Sequence, residues 1–180
     1  MPLSESAPRS LLHTRHVRFH GYKRDDGWYD IEACMSDVKT TDFAIEGERT
    51  WQPGEPIHDM RARITIDTDL VVLSIEVVME HVPYGECAAA RPAVQSLVGC
   101  SMRKGWRRAI EDRLGAVRGC THVRELLLNM GTAAFQTLAP MLVIPDDEVR
   151  APLPLGGCVS WDPAGSMVKR LHPRFHIESR

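Results

Sequence analysis

The sequence predicts an α+β fold in which about three helices cover one face of an antiparallel sheet, followed by an irregular C-terminal tail. Two observations support this class: apolar residues alternate with polar ones before Pro83, and they recur at helical spacing after it. A third is the order of the segments, because strands followed by helices are typical of an α+β layer.

Four strands are predicted in the first part of the chain. Two of them, HVRFHGYK and WYDIEACMSDVK, flank a tight turn that Asp26 and Gly27 favour. Residues 40–57 are rich in turn formers and are expected to be mostly loop. A half-buried strand starts at Met60, and LVVLSIEVVMEHV returns as its antiparallel partner. The many β-branched residues of this partner predict a central position in the sheet.

Three helices are predicted beyond Pro83. The first covers AAARPAVQSLV, with Pro92 tolerated in its first turn, and the second covers residues 103–114. Thr121 is predicted to cap the third helix, which runs to about Leu138. The expected organisation is a disordered N-terminus (1–12), a single α+β domain (13–140) and a proline-rich C-terminal extension (141–180) that wraps the domain.

Composition narrows the class of protein. The 180 residues are 43% hydrophobic and 26% charged with a net charge of −2, which predicts a soluble protein without a nucleic-acid or membrane partner. The sequence has no apolar run long enough for a span or a signal peptide, so we expect a cytoplasmic location. Its five cysteines form no CxxC motif and are expected to be thiols. A small-molecule ligand or substrate and a homo-oligomer are both compatible with the sequence.

Three segments place metal-binding or nucleophilic side chains at the ends of predicted elements. His58 and Asp59 precede a strand, Cys87 lies where the long strand gives way to a helix, and Cys120 and His122 open the last helix. A cysteine at a helix N-terminus meets unpaired N–H groups, which stabilise the thiolate that attacks substrates and ligates metals. These segments are therefore the candidate site.

Glu125 lies three residues after His122, on the same face of the predicted helix. From there it could orient the imidazole or act as an acid or base.

Five motifs in order closely resemble a bacterial family of uncharacterised proteins, domain of unknown function 2889. The motifs are GYKRDDGWYDIEA, EPIHDMRARITID, PYGEC, SLVG and GCTHVREL. The resemblance covers roughly residues 15–140 and implies no activity.

A more distant resemblance is to the scaffold proteins of iron–sulfur cluster assembly and the related sulfur-acceptor proteins, over about residues 58–138. It implies that the three segments meet at one edge of the sheet. The chain departs from that pattern, because His58-Asp59 stands where those proteins carry their first cysteine motif and Thr121 separates Cys120 from His122. These departures favour a mononuclear zinc or iron ion over an iron–sulfur cluster.

The first functional hypothesis is a metal-binding protein. A zinc or iron ion would be held by His58, Cys87, Cys120 and His122, with Asp59 as an alternative ligand. Four protein ligands would make the site structural, whereas three would leave a position for lyase or hydrolase chemistry on a small molecule.

Two alternatives remain open. In a metal-free cysteine enzyme or sulfur/acyl acceptor, Cys120 or Cys87 would be the nucleophile, His122 or His58 the base, and Asp59 or Glu125 the orienting carboxylate. The other alternative is a small-molecule binding module without catalysis, with a cleft lined by aromatic side chains: Trp28, Tyr29, Trp51 and Tyr84.

Overall fold

The computed structural model describes residues 3–142 and 151–178, and these form the expected α+β fold. The chain divides into two compact units, residues 1–134 and 135–180. Residues 1–2, 143–150 and 179–180 of the predicted N-terminus and C-terminal extension lie outside the described residues. The predicted domain boundaries stay a prediction.

The first unit is built on a four-stranded antiparallel sheet. The described residues form six strands: β1 (His13–Lys23), β2 (Tyr29–Lys39), β3 (Phe43–Ala44), β4 (Thr50–Trp51), β5 (Pro56–Ile66) and β6 (Val72–His81). The sheet order is β1-β2-β5-β6, and β3 pairs with β4 in the connection between the two central strands. The hairpin between β1 and β2 forms around Asp26 and Gly27, as predicted, with Gly27 at φ 90°.

The position of β6 differs from the prediction, because β6 is an edge strand. Val72 and Ile75 are buried in the core, whereas Leu73 and Val78 are exposed. Strand propensity reports how well a side chain fits a pleated, partly buried surface and carries no information about the number of neighbouring strands.

The sheet buries one of its two faces. In β2, Tyr29, Ile31, Ala33 and Met35 alternate along this face and are almost fully buried. The opposite face carries charged pairs between neighbouring strands, such as Arg63 with Glu32 at 2.8 Å. This alternation is typical of an antiparallel sheet covered on one side.

The helical part contains shorter pieces than predicted. Two 3-10 helices, Gly85–Ala90 and Pro92–Leu97, replace the first predicted α-helix. Pro92 has no N–H to donate, so the chain cannot continue one helix through this point. Helix α1 (Trp106–Leu114) and helix α2 (Thr121–Leu142) match the second and third predicted helices.

The start of α2 positions the candidate site and is fixed by packing within the first unit. Val123, Leu126, Leu127 and Met130 lie at helical spacing and are buried. The buried Trp106 of α1 donates its indole N–H to the carbonyl of Leu127 over 2.7 Å, which ties the two helices together.

The described part of the second unit contains the C-terminal end of α2, 3-10 turns and one short helix, α3 (Ser166–Leu171). Within it the ring of Trp161 stacks on His172, with 5.0 Å between ring centroids. Among the residues that the structure describes, no helix has the length and apolar character of a membrane span.

Candidate metal centre

The candidate site begins with three residues aligned across the sheet. Arg15 of β1 is paired with Asp37 of β2, and Asp37 is paired with His58 of β5. Asp37 continues the buried alternation of its strand, two residues after Met35, and is only 3% exposed. The strand register therefore places a carboxylate and an imidazole side by side at one end of the buried face.

Asp37 is held by two side chains from β1. Its Oδ1 accepts hydrogen bonds from Arg15 Nε and from the His13 ring, both at 2.8 Å, and its Oδ2 accepts from Arg15 Nη2 at 2.9 Å. Burial raises the pKa of Asp37, but the hydrogen bonds from Arg15 and His13 outweigh it and lower this pKa to about 2. The carboxylate is therefore ionised, and three of its roughly four acceptor positions are used.

The remaining acceptor position of Asp37 lies beside His58. His58 Nδ1 is a buried nitrogen 3.0 Å from Asp37 Oδ2, and no described residue gives it a hydrogen bond of regular geometry. Burial, together with the nearby His122, lowers the pKa of His58, so the ring is neutral at pH 7. A neutral imidazole with a buried nitrogen facing a carboxylate has the form that ligates metals.

His122 and Cys120 enter the site from the N-terminus of α2. The rings of His122 and His58 lie 3.9 Å apart between centroids, and His122 Nδ1 is 3.9 Å from Cys120 Sγ. The Cys120 carbonyl accepts the bond from the N–H of Arg124 that starts the helix, so Cys120 and not Thr121 occupies the N-cap position. The predicted N-cap, Thr121, was therefore wrong by one residue. As the N-cap residue, Cys120 places its thiol next to the positive end of the helix dipole.

The thiol of Cys120 is shifted toward the thiolate form. Burial raises its pKa, but the hydrogen bond with His122 and the backbone N–H groups of Val123 and His122 outweigh burial, and the net pKa is lowered. These are the contacts that a thiolate gains at a helix N-terminus.

Asp37, His58 and His122 together form a group suited to a metal ion. Each offers a ligand atom, and these atoms all lie within 4.8 Å of one another. Two imidazoles and one carboxylate are the donors of many catalytic zinc and non-haem iron sites. The group fits such an ion, because its carboxylate is ionised and its His58 ring is neutral.

A cleft of about 560 Å³ opens beside this group. All four metal ligands predicted from the sequence line it, namely His58, Cys87, Cys120 and His122. Its other walls are largely apolar, with Pro83, Tyr84, Ala90 and Val117 among them, and Glu86 and Arg118 add charges. The structure thus brings the three predicted segments to one cavity.

Two other predicted site residues occupy different positions. Asp59 follows His58 in the strand and therefore points to the opposite face, where it lines a separate cleft with Arg61. Glu125 pairs with Arg15 at 3.0 Å, so it reaches Asp37 through the guanidinium. Neither carboxylate belongs to the group of three ligand atoms.

Sequence reasoning missed Asp37 and the two β1 side chains that hold it. One signal was present: Asp37 extends the apolar alternation of Tyr29 to Met35 at a position where a buried residue is expected. A carboxylate at such a position needs a partner, and Arg15 and His13 supply it.

The four aromatic residues predicted to line a cleft are spread over the fold. Tyr84 lines the cleft beside the metal group. Tyr29 and Trp51 are buried in the core, and Trp28 is 42% exposed next to the first hairpin turn.

Comparison with known proteins identifies one family. The family model described as protein of unknown function (DUF2889) matches residues 13–136, which include the sheet, the cleft and the group of three ligands. Neither the curated proteins nor the solved structures contain a match. The resemblance to iron–sulfur scaffold proteins stays a prediction.

Proposed function

The chain belongs to the family of proteins of unknown function DUF2889, and we propose that it is a metal-binding protein whose ion is held by Asp37, His58 and His122. One observation carries the proposal, namely that the ligand atoms of these three side chains lie within 4.8 Å of one another. The donors are oxygen and nitrogen, which favours a single zinc or iron ion over an iron–sulfur cluster.

The surroundings of the ligands support this assignment. Arg15 and His13 keep Asp37 in position while leaving part of Oδ2 available, which is the kind of outer support that metal-ligating carboxylates receive. His58 Nδ1 is a buried nitrogen without a hydrogen bond of regular geometry to any described residue. An ion held by His58 and Asp37 would give this nitrogen a direct partner.

The cleft beside the ligands supports a catalytic role over a purely structural one. With three protein ligands, a fourth position on the ion is free for water or substrate, and a zinc or iron ion supplies Lewis-acid chemistry there. The cleft gives a small molecule access to the ligands, with Tyr84 and Ala90 among its apolar lining, and Cys120 lies next to His122. Hydrolase or lyase chemistry on a small molecule is the function that these features fit best.

Elemental analysis of the purified protein tests the proposal. Protein prepared without chelator is expected to carry close to one equivalent of zinc or iron, and His58→Ala and His122→Ala are each expected to lose most of it. His16→Ala is the matched control, because His16 is exposed on β1. If the His58 and His122 variants retain as much metal as the control, the proposed ligands are wrong.

The second candidate function is that of a metal-free cysteine enzyme or sulfur/acyl acceptor, which the contact between Cys120 and His122 favours. The Cys120 thiol has a lowered pKa and lies 3.9 Å from His122 Nδ1, so His122 could hold its proton. Under this alternative the protein is metal-free as isolated, and Cys120→Ser removes a thiol-dependent activity. Under the metal proposal, Cys120→Ser keeps most of the metal.

A further inference from the structure

Within the part of the chain that the structure describes, strand β1 presents an open edge. It is 11 residues long, pairs on one side with β2 without a bulge, and contains no proline. No other strand of the described residues pairs with its second side. Proteins usually limit pairing at such an edge with a short strand, a bulge, a proline, a covering segment or charged side chains, because an open edge recruits another strand. Of these devices β1 has only charged side chains, such as Arg18 and Lys23, and these disfavour a strand of like charge while leaving the edge open to one of opposite charge.

The hydrogen-bonding direction of β1 can be assigned from its two ends. Thr40 donates to the carbonyl of Leu12, and Arg24 donates to the carbonyl of Trp28, and both pairs follow the register of the β1–β2 ladder. Since bonded and non-bonded pairs alternate along an antiparallel ladder, the even-numbered residues of β1 bond to β2. The odd-numbered residues direct their N–H and C=O groups outward: His13, Arg15, Val17, Phe19, Gly21 and Lys23.

The side chains of β1 differ between the two faces of the sheet. On the charged face His16, Arg18 and His20 are exposed, and on the other face Val17 is 45% exposed and Phe19 is half-buried. The strand contains no acidic residue. A strand added to this edge would therefore meet basic groups on one face and apolar groups on the other.

We propose that β1 is a docking edge for an extended acidic segment of another protein, which adds a fifth strand to the sheet. Such a segment alternates acidic side chains, placed beside His16, Arg18 and His20, with apolar side chains placed beside Val17 and Phe19. Its backbone supplies the bonds to the outward N–H and C=O groups, as in other cases of strand addition. This docking edge is independent of whether Asp37, His58 and His122 bind a metal.

Charge favours this occupant over two others. A second copy of β1 would bring another Arg18 to the same face of the sheet, and neither strand has an acidic residue to pair with it. A nucleic acid would find few free cations, because Arg15 is already paired with Asp37 and Glu125, and the chain as a whole has a net charge of −2.

The test measures binding of fluorescein-labelled peptides to the full chain by fluorescence anisotropy. The probe is a short peptide in which glutamate and valine alternate, and the comparison peptide has lysine in place of glutamate. The structure predicts that the chain binds the glutamate peptide at least about tenfold more tightly than the lysine peptide, and that added salt weakens this binding.

Two variants locate the binding on β1. Val17→Pro removes one outward N–H and leaves the hydrogen bonds to β2 intact. It is therefore expected to lower the affinity for the glutamate peptide about tenfold, whereas the matched control Val17→Thr should bind this peptide with the wild-type affinity. Arg18→Glu is expected to reverse the preference between the two peptides and covers the case in which Val17→Pro does not fold.

Three results would overturn the proposal that β1 is a docking edge. They are equal binding by wild type and Val17→Pro, no binding of the glutamate peptide at about 1 mM, and an unchanged preference in Arg18→Glu. A dimer in sedimentation experiments that Val17→Pro dissolves would assign the edge to a second copy instead. Tighter binding of a single-stranded oligonucleotide than of the glutamate peptide would assign it to nucleic acid.

Discussion

Replacing Asp37 by asparagine is expected to destabilise the metal-free protein by about 2 kcal/mol at pH 7. The pKa of this carboxyl is lowered from an ordinary 3.8 to about 2 by its bonds to Arg15 and His13, and each pKa unit corresponds to about 1.4 kcal/mol. Because Asp37 is only 3% exposed, solvent screening reduces this figure little. Asparagine keeps the shape of the side chain but removes the charge that Arg15 and His13 contact.

The sign of the pH dependence follows from the same shift. A carboxyl whose pKa is lowered by folding stabilises the protein above its unfolded pKa, and the stabilisation is lost as the pH falls from about 4 towards 2. Urea unfolding in the presence of chelator measures this effect. Between about pH 4 and pH 2, the free energy of unfolding of the wild type is expected to fall by about 2 kcal/mol more than that of Asp37→Asn.

Asp59→Asn is the matched control for this experiment, because Asp59 lies in the neighbouring strand but lines a different cleft. It is expected to change the free energy of unfolding by less than about 1 kcal/mol at pH 7. If Asp37→Asn is no less stable than Asp59→Asn, or if its acid profile matches that of the wild type, the Asp37 network does not stabilise the fold as described.

Three further outcomes are expected. Gly131→Ala should lower the melting temperature in calorimetry, at a cost of about 1–3 kcal/mol, because the new Cβ would lie 2.8 Å from Trp106 Cδ1; an unchanged melting temperature would contradict the close packing of this helix pair. In metal-free protein, the pH–rate profile for alkylation of Cys120, followed by peptide mass spectrometry, should have a midpoint below the ordinary thiol value of 9.0, because its contacts lower the pKa, and a midpoint at or above that value would argue against its contacts at the N-cap. Glu125→Gln should change zinc affinity less than about threefold in a chelator competition, since Glu125 is exposed and contacts Arg15 rather than the ligand group; a tenfold loss would place Glu125 closer to the ion.

Local patterns in the sequence predict much of the site. Cys87, Cys120 and His122 lie at helix starts, as predicted, and they line one cleft together with His58. His58 was expected just before a strand starting at Met60, but the strand starts at Pro56 and includes it. Such positions can be read locally, because the ends of strands and helices follow from alternation, glycine and proline.

The partner of His58 could not be read in this way. Asp37 lies far from His58 along the chain, and the two meet because the register of β2 and β5 sets them opposite each other. Arg15 joins them through the register of β1. The register of a sheet depends on the hydrophobic pattern of all its strands together. A short stretch of sequence therefore does not reveal which polar residues of neighbouring strands lie opposite each other. The same limit explains why β6 was expected in the middle of the sheet and lies at its edge.

X-ray absorption spectroscopy of the zinc-loaded protein tests the proposed ligand set most directly. Asp37, His58 and His122 predict a first shell of nitrogen and oxygen at about 2.0–2.2 Å, with outer-shell scattering from two imidazoles and at most one sulfur. His122→Ala is expected to remove one imidazole from this pattern. A shell dominated by two or more sulfurs at about 2.3 Å, or one without imidazole scattering, would contradict a centre built from Asp37, His58 and His122.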